Sequence, residues 1–285
     1  MQRILIQLDT DPLPSSFDRV VAVDAGVEQL FSYGGVTPDN VVSLVLGAIF
    51  TRGPADLKHT ALFIGGSNVD AGETLLNAIR AAFFGPMRVS VLCDSNGSNT
   101  TAAAAVRSAT RHLDPSGATA LVLGGTGPVG QRAARILSQL GATVRLSSRS
   151  LERATATCDV IRKDIPQANL QPIGSSADDL QSVLGDTQLL IAAGAAGVEF
   201  LSEEQWSRSA ALRVAIDLNA VPPLGLAGIG VMDKAVQKGN VTCYGAIGVG
   251  GLKMKVHKGA IQKLFESNDL VLDTDAIYSL ATGLK

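Results

Sequence analysis

The stretch LVLGGTGPVGQRAA (residues 121–134) joins an apolar run to a helix-like run through Gly125, Gly127 and Gly130. The letters TALVLG before the loop are typical of a short buried strand, and VGQRAARILSQLG has the apolar spacing of an amphipathic helix. In this context G-x-G-x-x-G predicts a tight turn at Gly125, close backbone approach to a pyrophosphate at Gly127, and packing of helix on strand at Gly130. The helix N-terminus adds attraction for the anion. Glycines that only turn a corner are the alternative.

The loop therefore predicts a dinucleotide site, and further residues that follow predicted strands complete it. The predicted cofactor contacts are Gly125, Thr126, Gly127, Pro128, Val129, Gly130, Gly194, Asn219 and Ala220. The last two lie in AIDLNAVPPLGLAGI (215–229), which begins as a strand and continues as a long irregular segment.

The next predicted strand, ATVRLSSR (142–149), indicates which dinucleotide the loop accepts. An acid at the end of this strand would bind the ribose 2′-hydroxyl of NAD and repel a 2′-phosphate. The sequence has Ser147, Ser148 and Arg149 there instead, and hydroxyls with a guanidinium fork suit a phosphate dianion. We therefore predict NADP as the cofactor, with Ser148 and Arg149 at its 2′-phosphate. A solvated Arg149 is the alternative.

Composition narrows the class of partner. The 285 residues are 46% hydrophobic, which suffices for a large core and for two domains. The net charge of -2, without a dense Lys/Arg stripe, gives no electrostatic reason to predict nucleic acid as a partner. The three cysteines lack CxxC spacing, so neither a disulfide framework nor a metal site is predicted, and we expect buried thiols. The apolar runs are too short for a signal or a membrane span, which favours a cytoplasmic protein.

Apolar strand-like runs alternate with helix-length segments, which predicts βαβ units and parallel sheets. The expected fold class is α/β with two domains and a cleft between them. A Rossmann-type NADP-binding domain is predicted over residues 99–267, and a smaller α/β domain over 1–98 with about 268–285. We expect a helix over 17–31 in the smaller domain, and strands near 119–124, 143–147, 187–193 and 213–217 in the larger one.

A polar octet, DSNGSNTT (94–101), lies between a predicted strand and a predicted helix. Open α/β sheets bind ligands at such places, because unpaired backbone N–H groups gather there; an ordinary capped turn is the alternative. No hydrolase, zinc-peptidase, EF-hand or P-loop motif is present, and His59, His112 and His257 are expected to be structural or exposed. A hydride transfer that forms a stabilised cation needs no such base.

Six stretches together resemble the NAD(P)-dependent methylene-tetrahydromethanopterin dehydrogenases of methylotrophic and related bacteria. They are FDRVVAVDAG (17–26), YGGVTPDNV (33–41), FFGPMRVSVLCDSNGSNTTAAA (83–104), GGTGPVG (124–130), DLNAVPPLGLAGI (217–229) and GAIGVGGLKMKVHKGAIQKLFES (245–267). The resemblance spans nearly the whole chain. It implies oxidation of methylene-tetrahydromethanopterin to the methenyl form with NADP as hydride acceptor, in one-carbon metabolism.

The resemblance also implies residue roles. The first domain would bind the pterin, the C-terminal helix would return to that domain, and the cleft would hold the reaction. Asn96, Asn99, Thr100 and Thr101 would contact the substrate, and Asp18 and Lys253 would be catalytic. The GGLK motif identifies Lys253, whereas Lys255 lies about 200° around the helix and faces elsewhere. Related enzymes are homo-oligomers, often trimers.

Two other functions remain open on the sequence. A methylene-tetrahydrofolate dehydrogenase is possible on chemical grounds, because folate and methanopterin share the reacting imidazolidine ring. A non-catalytic NADP-binding sensor would keep GGTGPVG, but it would have no reason to keep a polar loop and a lysine facing the nicotinamide. Residues 160–185 are assigned no function.

Overall fold

The computed structural model describes residues 1–284. Its contacts divide the chain into two compact units, the first holding Met1–Thr100 with the residues from Met254 onward and the second holding Thr101–Lys253. In chain order the strands are β1 (Ile4–Asp9), β2 (Gln29–Tyr33), β3 (Thr60–Gly65), β4 (Ser90–Cys93), β5 (Thr119–Leu123), β6 (Thr143–Ser147), β7 (Asn169–Ile173), β8 (Leu189–Ala192), β9 (Val214–Asp217), β10 (Lys234–Lys238), β11 (Val241–Tyr244) and β12 (Val271–Leu272). The α-helices are α1 (Ser16–Asp24), α2 (Pro38–Ile49), α3 (Val69–Ala82), α4 (Ser98–Ala109), α5 (Pro128–Gln139), α6 (Leu151–Asp164), α7 (Ala177–Leu184), α8 (Glu203–Ser207), α9 (Ala246–Lys263) and α10 (Thr274–Thr282).

The first unit contains a parallel sheet in the order β12-β4-β3-β1-β2. Strands β1, β3 and β4 are almost continuously buried, as expected where helices cover both faces. Their apolar side chains form a core with those of α2 and α3, including Leu8, Ile64 and Leu75. The chain builds outward from β1 in both directions. The topological switch point therefore lies between β1 and β3, where open sheets bind ligands beyond the carboxyl ends of the strands.

The second unit contains a sheet in the order β10-β11-β9-β8-β5-β6-β7, in which only β10 is antiparallel to its neighbour. Apart from the edge strand β10, this is the doubly wound order of dinucleotide-binding sheets, with the switch point between β5 and β8. Its core surrounds Trp206, whose indole N–H donates to the carbonyl of Ala227 at 2.9 Å. The prediction of an α/β protein with a Rossmann-type domain is thus confirmed.

The predicted helix over 17–31 is wrong in its second half. Helix α1 ends at Asp24, and Gly26, with φ at 86°, turns the chain into strand β2. Glycine allows this left-handed conformation without a steric penalty. Strand β2 lies at the sheet edge with alternating exposed residues, so no apolar run marks it in the sequence.

The contacts place residues 254–267 in the first unit, whereas the sequence predicts them in the second domain. Two interactions explain the difference. The Lys258 ammonium donates to the Asp24 carboxylate at 2.7 Å, and the Ser90 hydroxyl donates to the carbonyl of Ser267 at 2.8 Å. An ion pair therefore joins the C-terminal half of α9 to α1, and a hydrogen bond joins the residues after α9 to β4.

Helix α9 starts at Ala246, so Gly248, Gly250 and Gly251 lie inside its first turns. A Cβ on Gly248 would collide with the carbonyl oxygen of Asp233, so the close backbone contact requires glycine there. A Cβ on Gly250 or on Gly251 would meet no atom within 4 Å, so packing within the described part of the chain does not require glycine at either position.

Burial also defines the state of the thiols. Cys93, Cys158 and Cys243 are all buried, and burial raises the pKa of Cys158 and raises that of Cys243 to about 11. A thiol with a raised pKa carries little of the reactive thiolate near neutrality.

Among residues 1–284, no helix is both long enough and apolar enough to cross a membrane.

Candidate functional site

The turn after β5 begins at Gly124 and includes Gly125. Gly124 has a φ of 66°, and the N–H of Gly127 closes the turn by donating to its carbonyl at 2.9 Å. A Cβ on Gly124 would lie 2.5 Å from Cα of Gly194, so the backbones that follow β5 and β8 pack together at the switch point. The sequence predicts the tight turn at Gly125. Gly125 does lie within this turn, and Gly124 is the residue in it that needs the left-handed conformation.

Packing requires glycine to different degrees at the three motif positions. A Cβ on Gly125 would lie 2.5 Å from the side chain of Leu146, and one on Gly130 would lie 2.6 Å from the carbonyl oxygen of Gly124. Packing inside the chain therefore requires both glycines. At Gly127 the nearest chain atom would be 3.3 Å away, which is tight but close to tolerable. The backbone at Gly127 is therefore more open than at the other two glycines, and its contact with a pyrophosphate stays a prediction.

The start of α5 is built for an anion. Gly127 is its N-cap, and Pro128 occupies the first turn, where a missing N–H costs nothing. The Gln131 side chain donates to the carbonyl of Thr126 at 2.7 Å and so fixes the loop. The Val129 side chain is half-buried. The unpaired N–H groups of this first turn and the helix dipole provide a positive end. The loop therefore suits the dinucleotide that the sequence predicts.

The end of β6 combines two buried hydroxyls with an exposed cation. The Ser147 hydroxyl donates to the carbonyl of Gly174 at 2.9 Å, and Oγ of Ser148 lies 3.3 Å from Oγ1 of Thr126. Arg149 is exposed, and within the described part of the chain it makes no hydrogen bond or ion pair. Ser148 thus connects the end of β6 to the glycine loop, with an unengaged guanidinium beside it.

The segment after β9 is organised by a buried carboxylate. Asp217 accepts the N–H groups of Asn219 and Leu226, both at 2.9 Å, and burial raises the pKa of Asp217. The Asn219 amide donates to the carbonyl of Pro223 at 3.2 Å, whereas Ala220 is exposed. Asn219 therefore shapes its own loop, and cofactor contact by Asn219 and Ala220 stays a prediction.

Acidic residues occupy the switch point of the first unit. Asp9 is buried and accepts the N–H groups of Asp11 at 2.9 Å and of Ser15 at 3.0 Å. Asp11 in turn accepts both the N–H and the hydroxyl of Ser67 at 2.9 Å. These bonds join the segment after β1 to the segment after β3.

The structure separates the predicted substrate residues into two groups. Asp94 accepts the N–H of Asn99 at 2.9 Å and the hydroxyl of Thr100 at 2.7 Å, and the Asn99 amide makes two further hydrogen bonds within the unit. Asn99 and Thr100 are buried and hold the loop. Asn96 is exposed with a φ of 55°, and Thr101 is half-buried. Asn96 and Thr101 are thus better placed to meet a ligand directly.

Asp18 lies in the first turn of α1, where its N–H donates to the Ser15 hydroxyl at 3.3 Å. Its Oδ2 is 3.6 Å from the position that a Cβ on Gly65 would take, so the predicted catalytic carboxylate lies at the β1–β3 switch point. His257 is fully buried, and its Nε2 lies 3.9 Å from Oδ1 of Asp18. The sequence predicts no functional role for His257; the structure places it beside Asp18.

The two neighbouring lysines of α9 differ as their spacing predicts. Lys253 is only 9% exposed, whereas Lys255 is exposed. Lys253 and His257 are four residues apart and share the buried face of the helix. That spacing of two polar residues on an otherwise apolar face is the signal by which the sequence could have indicated His257.

Solved structures of similar fold have been found over the whole chain. The chain aligns over 99% of its length with quinate dehydrogenase from Corynebacterium glutamicum in complex with NAD (12% identity, TM-score 0.52, 99% of that chain). It also aligns over 99% with ligand-free 5-ketofructose reductase of a Gluconobacter strain (16% identity, TM-score 0.51, 99% of that chain). At these identities the likeness concerns the fold. Fold and glycine loop together define a two-domain α/β protein with a dinucleotide-binding sheet.

Sequence relatives define the family. The family model of methylene-tetrahydromethanopterin dehydrogenase, N-terminal, matches residues 16–96. The Bifunctional protein MdtA of Methylorubrum extorquens is 44% identical over 98% of both chains. The NAD(P)-dependent methylenetetrahydromethanopterin dehydrogenase of the same organism is 34% identical over 95% of this chain and 94% of its own. The chain belongs to the methylene-tetrahydromethanopterin dehydrogenase family, as its motifs predict.

Proposed function

We propose that the protein transfers a hydride from methylene-tetrahydromethanopterin to NADP, giving the methenyl form, as a step of one-carbon metabolism. The observation that carries the proposal is the end of β6, where Ser148 and Arg149 stand beside the glycine loop in place of an acid. Family membership supports the pterin, since the matched segment 16–96 contains Asp18 and the residues from β2 to β4.

Each proposed residue has a physical task. When bound, NADP supplies the hydride acceptor. The glycine loop and the start of α5 hold its pyrophosphate, and Ser148 and Arg149 hold its 2′-phosphate. Asp18 orients the pterin and complements its growing positive charge. Lys253 hydrogen-bonds a pterin carbonyl, because a cation beside a forming cation would otherwise raise the barrier.

The chemistry needs no general base, since the hydride leaves a stabilised methenyl cation behind. We therefore expect turnover at saturating substrate to lack a limb that falls about tenfold per pH unit below a pKa near neutrality. The measurement is the pH profile of kcat. A steep limb of that kind, abolished by a single substitution, would identify a base and contradict this mechanism.

The decisive assay compares NADPH formation with methylene-tetrahydromethanopterin and with methylene-tetrahydrofolate. Turnover with the methanopterin carrier supports the proposal. The folate carrier is tested as a second substrate because it shares the reacting imidazolidine ring. Turnover with folate alone would make the protein a methylene-tetrahydrofolate dehydrogenase. NADP binding without turnover of either carrier would favour a non-catalytic sensor.

We also propose that the protein is a cytoplasmic homo-oligomer, as related enzymes are. Helix α1 supports this, because its exposed apolar side chains, Phe17, Val20 and Val23, lie three residues apart on one face. Replacing Val20 and Val23 with Ser should lower the mass measured by sedimentation. An unchanged mass would show that subunits meet elsewhere, and a monomeric wild type would contradict the proposal.

A further inference from the structure

The buried face of α9 is apolar except at two positions. Its apolar members are Val249, Leu252, Val256, Ala260 and Ile261. Lys253 and His257 interrupt them one turn apart. A polar side chain costs free energy in such a place unless a polar partner faces it. The imidazole of His257 is completely buried, so we expect a polar group next to it.

The aromatic neighbours of His257 fix the direction of its ring. Phe63 stacks on the imidazole with centroids 5.7 Å apart and planes 22° apart, and Phe17 lies at 6.3 Å and 36°. Packed on these rings, the imidazole has little freedom to turn. In this orientation Nε2 lies 3.9 Å from Oδ1 of Asp18. That distance is longer than a hydrogen bond, so the two groups are close neighbours without a direct bond between these atoms.

Asp18 also has an acidic neighbour, Asp9. Around the position of a Cβ on Gly65, Oδ2 of Asp9 lies at 3.0 Å and Oδ2 of Asp18 at 3.6 Å. Asp9 is held by backbone N–H groups of its own loop. The Asp9 carboxylate is therefore fixed by its own loop, and His257 is the buried polar side chain next to Asp18. His257 lies where it can hold the Asp18 carboxylate in place.

We infer that His257 is a positioning residue, which holds the Asp18 carboxylate at the β1–β3 switch point in the orientation that meets the pterin. The inference rests on the proposed function for what Asp18 does. It adds a residue from the C-terminal half of α9 to the machinery of the first unit. His257 itself does not touch substrate and acts through Asp18.

The test is a double-mutant cycle between His257 and Asp18. His257→Phe keeps the ring volume but removes both nitrogens, and should lower kcat/KM for the pterin about tenfold with NADP binding unchanged, because misplaced groups lose rate rather than cofactor affinity. His257→Gln retains a donor toward Asp18 and should recover part of that loss. In an Asp18→Asn background, His257→Phe should add less than about a twofold further loss. Lys258→Ala, which breaks the ion pair with Asp24 one position along α9, is the matched control and should leave kcat/KM unchanged.

A second readout does not depend on activity. The chain has three histidines, so the imidazole nitrogen signals of labelled protein can be assigned by comparison with His257→Gln. The Nε2 signal of His257 should shift in Asp18→Asn and stay in place in Lys258→Ala. This arm needs no His257→Phe protein, so it stands even if that variant does not fold.

The outcomes separate the two proposals. If wild-type protein turns over no methylene carrier, the proposed function fails, and the nitrogen signal alone decides the role of His257. An unmoved His257 signal in Asp18→Asn overturns the inference, whether or not the enzyme is active. Additive losses in the cycle also overturn it, because they would mean that His257 supports the fold independently of Asp18.

Discussion

The two sheets differ at the end of the central strand, β1 in one and β5 in the other, although both build outward from that strand in two directions. In the first unit, Asp9 at the end of β1 and Asp94 directly after β4 accept N–H groups of their own loops. In the second unit β5 ends in glycines, and β6 ends in Ser148 and Arg149.

The difference lies in which group uses the backbone donors. A parallel sheet supplies N–H groups at its carboxyl edge in either unit. Where an aspartate follows the strand, its carboxylate accepts hydrogen bonds from those N–H groups, and the loop is ordered as a result. Where glycines follow, the donors of the next helix stay available for an external anion. The first edge is therefore suited to a ligand that donates hydrogen bonds or develops positive charge, and the second edge to a phosphate.

The largest expected effect concerns Lys253, a buried cation on α9 rather than on either edge. Lys253→Ala should cut turnover with methylene-tetrahydromethanopterin by about a hundredfold or more, on the order of 3 kcal/mol of barrier, with NADP binding nearly intact. Steady-state kinetics and cofactor titration measure the two quantities. If Lys253→Ala instead lost NADP affinity, Lys253 would be a residue that binds the cofactor phosphates rather than the pterin.

Lys255→Ala is the control for Lys253, since Lys255 is two residues away on the same helix but exposed. It should leave turnover close to wild type. An equal loss in both variants, or wild-type turnover in Lys253→Ala, would mean that another residue has this role.

Arg149 tests whether the second edge selects a phosphate. Arg149→Ala should weaken NADP by about ten- to a hundredfold and scarcely change NAD, because a charge-assisted hydrogen bond to phosphate contributes roughly 1.5–3 kcal/mol. Binding of both cofactors to both proteins measures it. Arg153→Ala, in the first turn of α6 and also exposed, is the matched control and should change neither affinity. Equal losses for NAD and NADP would contradict the assignment.

Asp94 tests whether the acidic edge is structural. Its carboxylate accepts two backbone N–H groups and the Thr100 hydroxyl, all within 3.0 Å. Asp94→Ala should lower the free energy of unfolding by about 1.5–3 kcal/mol, because buried donors lose a charged partner. Asp70→Asn, at an exposed first-turn acid of α3, should change it by less than about 0.5 kcal/mol. Chemical denaturation compares them, and similar losses would show that burial of the acid is irrelevant.

The same contrast explains what the sequence predicts well. Strand, loop and helix signals coincide around residues 119–141, so the glycine loop and its sheet are predictable from local pattern. The need for glycine at position 124 is not, because it comes from the close approach of Gly194, which is distant in sequence. His257 is missed for the same reason: its partners Phe63 and Asp18 come from β3 and α1, and only the fold brings them together.

The smallest expected effect concerns an acid away from both edges. Asp186 follows α7, and its two oxygens accept both terminal nitrogens of Arg145, one of them at 2.8 Å. The hydrogen bond to Arg145 lowers the pKa of Asp186 below the ordinary 3.8. For an acid with a lowered pKa in the folded state, the stabilisation is present above the unfolded value and is lost as the pH falls through the folded value.

Asp186→Asn should therefore lower the free energy of unfolding at pH 7 by less than about 1 kcal/mol, since the Asp186 side chain is largely exposed and solvent screens the pair. The difference from wild type should shrink as the pH drops below 3.8. Asp159→Asn, which breaks a one-point pair with Arg162 within α6, should cost less at pH 7 because it removes a single exposed contact. Denaturation curves at several pH values measure both variants. An Asp186→Asn loss that stays the same in acid would contradict this prediction. It would mean that the carboxylate stabilises the fold through its shape and hydrogen bonds rather than its charge, as we expect for buried Asp94.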